Sequence, residues 1–206
     1  IPPHNLGEVL DGVIALSKNP DITTAELMQY IKGPDFPTSG FIYGRKGIQQ
    51  AYETGRGSIV IRARTEIEEL KNDRTQIIVS EIPFQVNPNR ILERLAELLK
   101  EKKIEGISEL RNESSREGMR LVIGLKRDAI PQVVLNHLFS QTSLQVSFGI
   151  IMLAIVDGRP RVLPLKEALK EFLAHRREVI TRRTQFERRQ ASARQEVVEG
   201  LGLAIE

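Results

Sequence analysis

The residues best placed to do chemistry are the cations between Ile42 and Arg64. Arg45, Lys46, Arg56, Arg62 and Arg64 share that window with a single carboxylate, Glu53, so it carries +4 while the rest of the chain sums to −1. Arg62 and Arg64 stand two apart in SIVIRARTEI, a segment that alternates apolar and polar residues, and on a strand that spacing puts both side chains on one face. Arg45, Lys46 and Arg56 sit in adjoining Gly-rich loops. Such a face suits phosphates, and on pattern alone it suits a solvated sheet surface equally well.

Other chemistries lack their parts. His4, His137 and His175 have no metal-ligand spacing and read as structural or solvent-exposed residues. There is no Cys, which removes thiol catalysis and Cys-ligated zinc. Gly44 to Gly47 and Gly55 to Gly57 fit neither a phosphate loop nor a dinucleotide fingerprint and read as turns. Glu8 and Asp11 lie three apart on a helix, as on any solvated face. No catalytic constellation and no metal site emerge, which weighs against an enzyme of small molecules.

The elements that must position the basic window can be read from periodicity. Asn5 caps a first helix with an apolar stripe at Leu6, Val9, Leu10, Val13 and Ile14, ending near Asn19-Pro20. Thr23 and Glu26 form a capping box for a second, running to Gly33. A short helix is expected near Lys46 to Thr54. Ser58–Ile67 and Thr75–Ile82 form a two-stranded ribbon turned by Lys71-Asn72-Asp73. Asn87-Pro88 opens a helix striped by Ile91, Leu92, Leu95, Leu98 and Leu99 to about Lys103. Gly118–Lys126 is a strand, Pro131–Ser140 a helix, and Phe148–Val156 a strand turned by Asp157-Gly158. The expectation is an α+β fold, a mainly antiparallel sheet with packed helices over residues 1–164.

After Pro164 the texture changes. Leu165 to Val198 contains no Pro or Gly and carries a loose heptad through Leu165, Leu169, Phe172, Arg176, Val179, Arg183, Phe186, Gln190, Ala193 and Val197. One helix of about 34 residues would reach roughly 50 Å, too long to lie within so small a domain. It must project or pair, so residues 165–206 are read as a second unit, one strand of a coiled coil. The 206 residues, 40% apolar and 28% charged, describe a globular chain. The longest apolar stretch, Phe148 to Val156, is too short to span a bilayer. Ile1-Pro2-Pro3 opens without Met, as in a piece of something longer.

Several motifs in order, IPPHN at residues 1–5, GPDFPT at 33–38, AYETGRG at 51–57, EIP at 81–83 and HRREV at 175–179, resemble the A subunits of bacterial type IIA topoisomerases across essentially the whole chain. Gln141-Thr142 and LQVSFG at 144–149 resemble the gyrase branch more than the topoisomerase IV branch. Ile151 departs from the Asn that family members usually carry there.

The resemblance implies a tower domain flanking a DNA duplex, then the descending helix of an antiparallel coiled coil leading to a dimer gate. Its partners would be double-stranded DNA, the gyrase B subunit, plus a second A subunit in an A2B2 assembly, in a bacterial, nucleoid-associated cytoplasm and without a membrane. It implies no cofactor in this segment, with Mg2+ and ATP on the B subunit. The DNA-cleaving tyrosine follows an arginine in an upstream domain. Tyr30, Tyr43 and Tyr52 follow other residues, and each reads as packing or rim. Ile1 resembles a wedge that inserts between base pairs. The segment would thus support ATP-dependent strand passage and supercoiling while being inert by itself. The alternatives are a topoisomerase IV A-subunit fragment and a non-catalytic protein-interaction module, in which the basic window is incidental.

Overall fold

A computed structural model describes residues 1–70, 74–116 and 118–205. It is an α+β chain built on antiparallel sheets. A three-stranded sheet has the order β1 (Phe41–Tyr43), β2 (Arg56–Arg62), β7 (Gln145–Ile151). A four-stranded sheet has the order β3 (Arg64–Leu70), β4 (Arg74–Glu81), β6 (Leu121–Leu125), β5 (Ile107–Asn112). A separate ribbon pairs β8 (Leu153–Val156) with β9 (Arg159–Val162). Around the three-stranded sheet lie α1 (Leu6–Lys18), α2 (Thr24–Tyr30), α3 (Lys46–Thr54) and the start of α6 (Leu165–Ile205). On the four-stranded sheet lie α4 (Pro88–Lys100) and α5 (Pro131–Gln141).

Local signals set most helix starts. The Asn5 side chain accepts from the Glu8 amide, Thr23 and Glu26 close a full capping box, and Asn87 precedes Pro88 at the first turn of α4. Helix α3 ends at Gly55, whose φ of 79° is the left-handed cap that glycine adopts without steric cost.

The expected two-stranded ribbon is corrected. Ser58–Ile67 is not one strand, because the chain leaves one sheet at Arg62 and enters the other at Arg64. The joint is Ala63, buried and donating its amide to the Leu144 carbonyl at 2.8 Å. Ile61 packs in the core beneath α1 to α3, whereas Ala63 packs in the core beneath α4 and α5. Thr75–Ile82 corresponds to β4, an inner strand paired with β6 as well as β3. The turn expected at Lys71-Asn72-Asp73 lies outside the described residues. Phe148–Val156 is likewise two strands, parted at Met152, whose amide is taken by the Gly55 carbonyl. Asp157 and Gly158, both at positive φ, make the turn into β9.

The stripe expected on α1 is also rotated. Val13 and Leu16 are buried with Gly12, while Leu6, Leu10 and Ile14 are 71%, 46% and 51% exposed. Gly12 causes this, since a Cβ there would meet Ile31 Cδ1 at 2.7 Å. The helix turns the bare backbone at Gly12, not Leu6 or Leu10, toward the end of α2.

Helix α6 has 41 residues, about 60 Å of rod. Of the expected heptad positions only Leu165 and Leu169 are buried. They belong to the same core as α1 to α3. From Arg182 to Ile205 every residue is exposed.

Gly47 and Gly57, read from sequence as turn residues, serve a different end. A Cβ on Gly47 would drive into the Ser58 carbonyl oxygen, and one on Gly57 would meet the Gly47 carbonyl and Ala51. Helix α3 therefore lies backbone against backbone on β2. Gly47→Ala should destabilise the protein by about 1–3 kcal/mol, as overpacking does, read as a lower midpoint in denaturant at unchanged slope.

Candidate nucleic-acid interface

The pairing of β1 with β2 assembles the basic face. Phe41 opposes Arg62 and Tyr43 opposes Val60, so Phe41 and Tyr43, two apart, share a side of β1. The Arg62 guanidinium lies over the Tyr43 ring at 4.0 Å and 4.9 Å from the Phe139 centroid, and it donates to the Gln145 side-chain oxygen. The Arg64 guanidinium lies over the Phe41 ring at 4.4 Å and pairs with Glu81 at 3.0 Å. The two arginines and two rings thus interleave in one row, which bears out the expectation that Arg62 and Arg64 share a side despite belonging to different sheets. Phe41 and Tyr43 remain 48% and 64% exposed. Rings hold both guanidinium planes in place, with the Gln145 amide oxygen on Arg62 and the Glu81 carboxylate on Arg64, which lowers the entropy lost when a further anion binds.

Gly44 then turns the chain from β1 into α3, placing Arg45 and Lys46 at the helix start. Arg45 accepts the first helical bond from the Gln49 amide at 3.0 Å, but no side chain caps this end. Two exposed cations at the positive end of an uncapped helix oppose its dipole, an arrangement that an arriving anion relieves. Arg45, Lys46, Arg62 and Arg64 therefore follow one another along β1 and its exit. Arg56 starts β2, six residues from Arg62 and so on the same face, about 20 Å along the strand at the rise of an extended chain. Its neighbour Gly57 packs against Gly47, which puts Arg56 at the Lys46 end of the row.

Ile1 is 63% exposed at the head of a tightly held segment. The His4 ring bonds the Pro2 carbonyl through Nδ1 at 2.8 Å, so Nδ1 carries the proton. Nε2 then accepts from the Tyr52 hydroxyl at 2.7 Å. The Pro3 carbonyl takes the Asp35 amide at 2.9 Å, and Asn5 Nδ2 donates to Asp35 at 3.2 Å. Tyr52 is fully buried on α3, so the element that presents Arg45 and Lys46 also anchors the segment behind Ile1. Burial lowers the His4 pKa, partly offset by the bond to Pro2 and by Glu8 and Asp35, and burial raises that of the Tyr52 phenol. Both stay neutral near pH 7.

Sequence reasoning gave Phe41, Phe139, Gln145 and Glu81 no part in the site, and it took Tyr43 and Tyr52 for packing or rim. The alternation Phe-Ile-Tyr between Gly40 and Gly44 was the available signal for the first. The His4–Tyr52 bond joins residues 48 apart and left no local trace. His137 and His175 are exposed. Among the described residues no group of three His, Asp or Glu is placed to hold a metal, and no helix is long and apolar enough to cross a membrane.

A family model describing the A subunit of DNA gyrase/topoisomerase IV matches residues 1–206. The chain belongs to this DNA gyrase/topoisomerase IV A-subunit family. Its relatives include the gyrase A subunit of Halalkalibacterium halodurans, 58% identical over all of this chain and 25% of the relative. That of Pseudomonas aeruginosa is 58% identical over 22% of its length, and that of Staphylococcus aureus 55% over 23%. This member of the family thus spans about a quarter of the curated relatives it matches.

Because the A-subunit chain keeps His4 neutral, its stability has a defined pH dependence. The folded pKa lies below the unfolded one, so the His4 contribution is complete above about 6.5 and is lost as pH falls through the folded value. Thermal melting should drop on acidification below that point, and His4→Gln should remove this component of the drop. Parallel melting curves for the two proteins from neutral to mildly acid pH would overturn the assignment.

Proposed function

We propose that this chain is the part of a type IIA topoisomerase A subunit that flanks and bends the DNA duplex, nearest in kind to gyrase. The carrying observation is the row Arg64, Phe41, Arg62, Tyr43 running into the uncapped, doubly cationic start of α3. Arginines held over rings and cations at a helix start reach phosphates and carry no base-edge pattern, so binding tracks the backbone without reading sequence.

In this reading the chain scaffolds rather than cleaves. Strand passage and supercoiling belong to the intact enzyme, whose tyrosine lies upstream and whose ATP and Mg2+ are held by the B subunit. The bare length of α6 supports its role as the descending arm of a coiled coil, completed by a returning segment on the way to a second A subunit. The cytoplasm of a bacterium, close to the nucleoid, is the matching location.

Ile1 acts as the wedge. An exposed side chain is useful between base pairs only if its support is stiff, and Pro2, Pro3 and the His4–Tyr52 bond supply that support. Unstacking a step costs about a few kcal/mol, which the phosphate contacts along the bent arms can offset.

If about four cations meet phosphates, log K against log salt for duplex binding by the full-length protein should slope near −3.6 from this face, at about −0.9 per contact. Replacing Arg45, Lys46, Arg62 and Arg64 together by Ala should remove that share of the slope, and an unchanged slope would sink the reading. Separately, Ile1→Ala should reduce the bend measured by fluorescence transfer between duplex ends, with the melting temperature nearly unaltered. A normal bend would make Ile1 an ordinary linker residue.

A further inference from the structure

The far end of the four-stranded sheet holds a second concentration of positive charge, remote from the row on β1. Its hollow is lined by Leu70, Arg74, Gly124, Lys126 and Arg127, with Ser108 and Glu109 opposite. Gly124 lies between Gln76 and Glu109 in the ladder, and it forms the floor because a Cβ there would meet Glu109 Cγ at 2.7 Å. The register of β5 shifts between Ile107 and Glu109, which sets Ser108 at the rim with its hydroxyl on the Leu125 carbonyl.

Continuing the Gln76–Gly124 pairing by two residues puts Arg74 opposite Lys126. Like charges directly across two strands destabilise a sheet, and here Arg127 adds a third. Among the described residues no carboxylate forms an ion pair with any of the three. Glu109, which lines the hollow, is engaged by Arg111 at 3.7 Å. Lys126 also borders a neighbouring hollow with Glu105 and Asp128. Elsewhere on this sheet cations are matched, Arg120 by Glu68 and Glu113, and Arg111 by Glu109 and Glu113. Among the described residues the cluster stands out against a face that otherwise neutralises its own charge.

From these observations we infer that the hollow between Arg74, Lys126 and Arg127 is a second phosphate-binding site, and that its ligand is the DNA backbone. This rests on the nucleic-acid reading above and extends it to a place on the surface. The hollow is shallow and has no aromatic wall on which a base could stack, so it recognises phosphate and nothing beyond it. Strand β3 supplies the spacing. Arg64 begins it and Leu70 ends it, a separation of about 20 Å at the rise of an extended strand, or about six base-pair steps. Between these ends β3 exposes Glu66 on the face that carries Arg74, so the duplex meets the sheet at two points and is held off it between them.

The test uses the full-length protein with a duplex long enough to pass both patches. Arg74→Gln with Lys126→Gln should flatten the salt slope by about 1.8, two contacts at about 0.9 each, while melting no earlier than the parent because the cross-strand repulsion is gone. Should the double variant melt early, Lys126→Gln alone is measured, with a change of about 0.9 expected. An unchanged slope in these variants, with the slope still flattened by replacing Arg45 and Lys46, would overturn the hollow and leave the first patch standing. A flat slope in the parent protein would overturn the nucleic-acid reading itself. Inorganic phosphate at fixed ionic strength provides the last arm. Phosphate binding that is lost in the variants but leaves DNA affinity and its salt slope untouched would assign the hollow to free phosphate and overturn the backbone assignment, whereas competition with DNA that vanishes in the variants supports it.

Discussion

The close contact of α3 with β2 is the constraint on which the rest depends. Because Gly47, Gly57 and the Ser58 carbonyl leave no room for a Cβ, the helix can sit on the strand in one register only. That register fixes three things together. Arg45 and Lys46 emerge at one end beside the β1 aromatics. Tyr52, two turns on, meets His4 and so holds the opening prolines. Gly55 ends the helix with its carbonyl on the Met152 amide, tying α3 to the kink between β7 and β8. A single backbone contact thereby sets the relative positions of a cationic helix start, a stiff apolar tip and the ribbon that leads into α6.

The arginines of the interface are poised between structural and functional roles. Arg64 is paired with Glu81 and stacked on Phe41, yet its side chain is still 43% exposed. A partly exposed ion pair contributes little to stability, about 1 kcal/mol or less, and its value here is orientation. Lys46 by contrast stands exposed on a flexible stem and offers a point charge that can follow its ligand. Fixed forks and adaptable charges side by side suit a polyanion whose phosphates are regularly spaced but whose sequence is immaterial.

What could be read in the sequence was what is decided locally. Asn5, the Thr23–Glu26 box, Asn87-Pro88 and the limits of α3 are set within a few residues, and each stands where the pattern placed it. The split at Ala63 could not be read, because both halves alternate in phase and only a distant partner, Leu144, separates them. Strands β1, β5 and β9 are short or polar and sit at edges, so they carry no apolar alternation strong enough to show. The site was legible as charge and spacing at Arg62 and Arg64. Its rings and its His4–Tyr52 anchor required the tertiary fold, as did the recognition that glycines which resemble turn residues are there for contact.

Helix α6 has a mechanical side. It is rooted by Leu165 and Leu169 in the core that also holds Tyr52 and Ile48, while the remaining length stands clear of the body. A rod of about 60 Å pivoting at such a root turns a rotation of about five degrees into roughly 5 Å of travel at the tip. The root is packed against the very helix that carries Arg45 and Lys46. Strain felt at one would be handed to the other without any intermediate joint, making the chain a lever whose short arm is the charged face and whose long arm is the helix.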